Sequence, residues 1–181
     1  MPKTNLKFDC FSDLVRSRRT VHDFTNDIPP NHLILEAIEQ ARWAPNHHRT
    51  EPWYFRFPSR AQIEQICQLN AELIRQQKGP TAGPEKAEKI AAVKLRRWLA
   101  MPGWLVLTCQ RDDDPLRQQE DYAACCCAAQ NMMLLLWEKG IGVKWTTGNI
   151  TRERDFFDII AHGFIAVTTT QSFCLSEPAL F

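Results

Sequence analysis

With 181 residues, 44% of them hydrophobic and 24% charged, the chain has the makeup of a soluble globular protein and the length to bury a core, read here as one domain over residues 1–181. A net charge of +1 supplies no global field to gather nucleic acid or an anionic membrane, so neither is an expected partner. Seven cysteines, an odd number without C-x-x-C spacing, read neither as a disulfide framework nor as a zinc site, and fit a reducing compartment.

The start, Met1 to Cys10, lacks the apolar run of a signal peptide. The longest apolar stretch, Ala123 to Trp137, is interrupted by Gln130 and Asn131 and is too short to span a bilayer. The expected location is the cytoplasm.

In chain order, Phe8 to Arg18 carries Phe11, Leu14 and Val15 at helical spacing. Arg18-Arg19-Thr20 then opens an extended or looping segment over Val21 to Phe24. Pro29-Pro30-Asn31 starts a helix in which Leu33, Leu35, Ile38, Ala41 and Arg42 follow at roughly helical spacing, and Pro45 stops it. Asn46 to Pro52 is a polar loop. Trp53 to Phe57 alternates as a strand. Arg60 to Gln77 reads as a long helix, Lys78 to Pro84 as a linker rich in Gly and Pro, and Glu85 to Leu99 as a charged helix. Trp104 to Cys109 is a buried strand. Leu116 to Lys139 is apolar all round at its centre and is expected to be the core helix, closed by Gly140. Its Cys125, Cys126 and Cys127 are expected as buried thiols, filling space as small hydrophobes. Strands over Ile141 to Thr146 and Phe164 to Thr168 flank a helix over Thr151 to Ile160. The whole reads as α+β, a central, mostly antiparallel sheet surrounded by helices.

Three loops carry chemistry. Arg16 to His22 gathers guanidinium and hydroxyl donors at a helix end, a set that suits a phosphate or a polyhydroxyl chain and equally suits a solvated helix terminus. Ala44 to Trp53 is a polar loop held by Pro45 and Pro52. Its His47-His48 pair lacks the spacing of a metal site. Val143 to Gly148 follows a strand with small hydroxyl residues and a glycine, a composition that lets backbone N–H groups approach a ligand closely or simply turns the chain. No Walker loop, G-x-S-x-G or H-E-x-x-H occurs. Gly140-Ile141-Gly142 lacks the third glycine of a dinucleotide fingerprint.

In series these loops resemble the nitroreductase family. The matching segments are Arg18-Arg19-Thr20-Val21-His22, Ala41-Arg42-Trp43-Ala44-Pro45 through Glu51-Pro52-Trp53, the alanine-rich helix with Gln130-Asn131, and Gly140-Ile141-Gly142 before Trp145-Thr146-Thr147-Gly148. The likeness covers about residues 10 to 165, and the Glu-Pro-Trp form and short chain are similar to the family's minimal members. It implies a homodimer with two FMN sites at the subunit interface. Arg18, Arg19 and Thr20 would hold the phosphate and ribityl chain. Trp43, Pro45, Asn46 and His47, with Arg49, would approach the flavin from the other subunit, and Trp145, Thr146, Thr147 and Gly148 would line the isoalloxazine. It further implies hydride transfer from NADH or NADPH through flavin to a small nitroaromatic or quinone-like oxidant, with no metal and no side chain as obligatory acid or base. The sequence departs from the family pattern at His22, where Arg or Lys is frequent, and after Arg154, where no Lys or Arg follows. The family's usual loop after Ile160 is also missing, since Ala161-His162-Gly163-Phe164 follows at once, and that loss motivates the alternative, a non-catalytic or degenerate flavin-binding dimer.

Overall fold

The computed structural model describes residues 10–161, and the backbone of 178–180. Helix α1 spans Phe11–Ser17 and α2 spans Asn31–Ala41. A short turn at His47–Arg49 precedes strand β1, Trp53–Arg56. The hairpin α3 (Arg60–Ala82) and α4 (Pro84–Leu99) leads to β2, Val106–Cys109, and then to the long helix α5, Pro115–Glu138. A 3-10 turn at Asn149–Arg152, helix α6 (Arg154–Ala161) and β3 (Pro178–Leu180) complete it. The described strands form an antiparallel sheet in the order β1-β2-β3, with Trp53 opposite Cys109 and Thr108 opposite Pro178. Helices around this sheet give the α+β class expected, and no helix of the described residues is long and apolar enough to cross a membrane.

The caps follow from local chemistry. Ser59 and Gln62 exchange side-chain hydrogen bonds with each other's backbone N–H (3.3 and 2.9 Å), a capping box that starts α3. Asp114 accepts from the Leu116 N–H at 2.9 Å and Pro115 occupies the first turn of α5. At its far end Gly140, at φ 76°, donates to the Trp137 carbonyl while Ile141 donates to Leu136. That pair of bonds closes the helix in the left-handed conformation glycine adopts without strain.

The core sits between α5, α2 and the sheet. Ala37 and Ala41 of α2, Ala124, Cys125, Ala128, Ala129 and Met132 of α5, and Trp53, Leu107 and Cys109 of the strands pack together. A second cluster, with Ile66, Trp98, Val106, Phe156 and Ile160, seats α6 against the hairpin.

Four sequence expectations change. Lys78 to Pro84 is not a linker: α3 runs through Pro80 to Ala82. Proline lacks only one N–H, the preceding Gly79 has no Cβ to clash with its ring, and this stretch of helix is solvent-facing, so the freed carbonyl meets water. The break comes at Gly83, φ 84°. Ile141 to Thr146 is extended but joins no ladder beyond an isolated bridge at Thr146. The helix expected over Thr151 to Ile160 divides into a 3-10 turn and α6. Of the three consecutive cysteines, Cys125 is buried, Cys126 half-buried and Cys127 exposed, because successive positions on a helix are rotated by about 100° and one apolar face cannot hold all three. The strand expected over Phe164 to Thr168 lies outside the described residues.

Thiol reactivity follows burial. Burial raises Cys67 to about 11, and a hydrogen bond to Cys109 together with burial holds Cys125 well above the usual thiol range. In the native protein Cys67 and Cys125 are expected to label at least about tenfold slower than the exposed Cys10. Residue-resolved mass spectrometry of the labelled protein measures this, and equal rates would refute the packing of α5 and α3 given above.

Candidate active site

The first loop leaves α1 at Arg18, whose backbone N–H still bonds the Leu14 carbonyl at 3.1 Å. Ser17 anchors it to the core helix: the Trp137 indole N–H donates to Ser17 Oγ at 3.1 Å. Arg19 folds back, its Nη1 donating to the Arg16 and Arg18 carbonyls at 2.5 and 2.9 Å, so it caps α1 in this conformation. Arg18 is half-buried and Thr20 and His22 are exposed.

This loop and the third one are brought together. The Val21 N–H bonds the Val143 carbonyl at 3.2 Å. The approach depends on Gly142: a Cβ there would stand 2.4 Å from Val21 Cγ2, inside any real contact distance. Trp145 and Thr146 are half-buried beyond this junction, and Thr147 and Gly148 are exposed. A Cβ added at Gly148 would meet nothing within 4 Å, so there is open space beside this backbone.

Basic residues from α4 crowd the same face. Arg97 Nη2 donates to the His22 carbonyl at 2.8 Å and lies 3.5 Å from the exposed Asp23. Lys94 stands over the Trp98 ring, 5.3 Å from its centroid. Burial first, then the charges of Lys144 and Arg97, push its ammonium below the usual lysine range. Lys94 thus feels both Lys144 and Arg97, while Arg97 already has the Asp23 carboxylate beside it. Sequence reasoning missed Lys94 and Arg97, because nothing local ties α4 to the first loop. The only hint was their i, i+3 spacing on one helix face.

The second loop is held from α5. Asn46 Nδ2 donates to Thr50 Oγ1 at 3.0 Å, Thr50 Oγ1 donates to Asp121 Oδ1 at 2.5 Å, and the Glu51 N–H donates to Asn46 Oδ1 at 2.9 Å. His47 Nδ1 meets Glu120 Oε2 at 3.0 Å, and the His47 and His48 rings stack 4.0 Å apart. His48, Arg49 and Glu51 take positive φ (57°, 54° and 44°), a left-handed backbone that costs about 1–2 kcal/mol at each non-glycine residue. Pro45 is exposed and Trp43 is 78% exposed, so a large aromatic surface stands uncovered beside this loop. Among the described residues no group of three His, Cys, Asp or Glu is placed to hold a metal ion. An open groove at Ala82 to Lys89 lies at the far end of α4 from Arg97, away from the cation face.

Set against solved structures, the fold is similar to that of a nitroreductase-like family protein from Bacillus cereus, with 26% identity and a TM-score of 0.72 over 96% of this chain and 82% of that one. It also resembles in fold NfnB, an FMN and NADPH-dependent nitroreductase from Sphigopyxis sp. strain HMH, with 18% identity and a TM-score of 0.66 over 94% of this chain and 84% of that one. At the sequence level the pattern of the nitroreductase family matches residues 15–163. YfhC of Bacillus subtilis (strain 168), an NAD(P)H nitroreductase by assignment, is 31% identical over 158 residues, 86% of this chain and 79% of that protein. The chain belongs to the nitroreductase family.

The junction of the first and third loops is open to a direct test. Gly142→Ala forces a methyl group against Val21 and should destabilise the protein by about 1–3 kcal/mol. Val21→Ala in the same background should recover part of that loss. Urea unfolding of the two variants checks both, and an unchanged midpoint in Gly142→Ala would show that the loops do not touch.

Proposed function

We propose that this chain is an FMN-dependent oxidoreductase that takes hydride from NADH or NADPH and delivers it to a small nitroaromatic or quinone-like acceptor. The observation that carries this reading is the union of the Arg18–His22 loop with the Val143–Gly148 loop on one cation-rich face, in a chain of the nitroreductase family. The residues present fit FMN. Its phosphate dianion needs charged donors, and Arg18, Arg19 and Thr20 stand at the exposed end of the joined loops. Arg19 needs only to release the two carbonyls it now caps. Arg97, bonded to the His22 carbonyl and within electrostatic reach of Lys94, adds positive charge at the end of this loop, where the sequence has histidine at position 22. Trp145, Thr146, Thr147 and Gly148 would border the ring system.

Bound flavin supplies the hydride chemistry. The residues bind, orient and shield: the first loop fixes the phosphate end, the third loop the ring plane, and the cations favour negative charge. No side chain is assigned a proton.

The reading includes a homodimer. Trp43, Pro45, Asn46, His47 and Arg49 would complete the flavin site of the other subunit, and the cytoplasm fits such an enzyme. Support comes from apolar side chains left uncovered on the single chain, above all Trp43 (78%) beside the second loop, with Phe11 (71%), Ile28 (75%) and Leu116 (65%) also exposed.

Two outcomes test this. In sedimentation with FMN at micromolar concentration, the protein should run at twice 20.9 kDa; a monomer would remove the shared site. In flavin titrations by fluorescence quenching, Arg18→Ala and Arg19→Ala should each weaken FMN by about 1.5–3 kcal/mol, roughly one to two decades, whereas Arg96→Ala should not. Riboflavin, which lacks the phosphate, should bind the wild type poorly. Unchanged FMN affinity in both loop variants would place the phosphate elsewhere. NADH or NADPH consumption with a quinone then separates turnover from mere flavin binding.

A further inference from the structure

Asp121 is the only buried carboxylate among the described residues, 4% exposed on the core helix α5. Removing an ionised carboxylate from water is unfavourable unless something answers it, and an apolar residue of similar volume would often serve the fold as well. What answers it here is the Thr50 hydroxyl, at 2.5 Å. The preceding helix residue, Glu120, meets His47 at 3.0 Å, so two adjacent positions of α5 grip both ends of one loop. From Thr50 the bonding continues through the Asn46 amide to the Glu51 N–H, and spans the three residues of left-handed backbone. Such a backbone persists only where its surroundings over-determine it. Alongside the His47–Glu120 contact and the Arg42–Glu51 ion pair at 3.5 Å, the Asp121–Thr50–Asn46 relay does so here, and it alone of the three runs from the core helix through both ends of the strained stretch.

We propose that Asp121, acting through Thr50 and Asn46, is a positioning residue that holds the Asn46–Glu51 loop in its strained form and thereby presents His47 and Arg49 to the flavin of the partner subunit. The proposal rests on the assignment of this loop to the flavin site. It gives the buried carboxylate a task that neither the core nor the sheet requires.

The test uses the full-length dimer and three substitutions. Thr50→Val removes the donor at nearly constant volume, Asp121→Ala removes the acceptor, and Thr50→Ser keeps the hydroxyl. Two readouts are taken: amide hydrogen exchange of residues 46–51 without added flavin, and the FMN dissociation constant. Thr50→Val and Asp121→Ala should each speed exchange in the loop and raise the FMN dissociation constant about tenfold, as expected for a lost bond to a charged group. The double variant should be no worse than the poorer single one, because both break the same relay. Thr50→Ser should behave as wild type, and the faster exchange in Thr50→Val should be confined to residues 46–51 even though the unanswered carboxylate lowers its unfolding midpoint, which separates positioning from general support of the fold. Should Asp121→Ala fail to fold, Thr50→Val and Thr50→Ser carry the test alone. Unchanged loop exchange in Thr50→Val overturns the proposal and leaves the flavin assignment standing. Faster exchange with unchanged FMN affinity overturns it in the other way, by showing that this loop does not meet the flavin.

Discussion

Small side chains in the middle of α5 decide how closely everything else can approach it. Ala124, Cys125, Ala128 and Ala129 face Ala37 and Ala41 of α2 and the strand residues Trp53, Leu107 and Cys109. Alanine and cysteine leave little side chain between the backbones, so the helix and its neighbours pack with few voids. Larger residues on that face would push α2 and β2 outward, and both neighbours of the second loop would move with them: α2 leads into it and β1, paired to β2, leads out.

The candidate site is therefore built from unstable pieces on a stable frame. The first loop leaves the seven-residue helix α1, whose Phe11 and Val15 remain exposed, and is tied down at Ser17 by Trp137 of the core helix. The second carries left-handed backbone at three non-glycine residues. The third is an extended segment outside any ladder, held where Gly142 admits Val21. Each would be mobile alone; each is fixed by one or two specific contacts to α5, to α4 or to another loop. Binding residues on loops held by a rigid scaffold is a common economy of enzymes.

Periodicity and punctuation made the frame legible. The apolar run to Trp137 and the following Gly140 define the end of α5, and Pro45 and Pro52 bound the second loop. What stayed hidden was tertiary. Pro80 looks like a stop in sequence, yet tolerance of its lost bond depends on a solvent-facing turn. The Ile141 to Thr146 segment has the composition of a strand, but among the described residues it meets the first loop, through the Val21 N–H and the Val143 carbonyl, and joins no ladder. Lys94 and Arg97 join the first loop only because α4 ends beside it, and Asp121 finds Thr50 across 71 positions of sequence. The loops that carry the family pattern were legible residue by residue; the side chains that hold those loops in place were not.

Asp121 and Trp137, which anchor the second and first loops, stand sixteen positions apart on α5 (137 minus 121), about 24 Å along the axis. Beyond its first residue this helix contains neither proline nor glycine, so it has no built-in kink. It acts as a ruler with a phase. Four residues inserted between the anchors would lengthen the spacing by about 6 Å and leave both loops on nearly the same faces, whereas one residue would lengthen it little and swing one loop about 100° around the axis. The distance between the loop proposed for this chain's own flavin and the loop proposed for its partner's is thus counted in residues of the core helix, and their mutual orientation is set by the remainder of that count divided by the helical repeat.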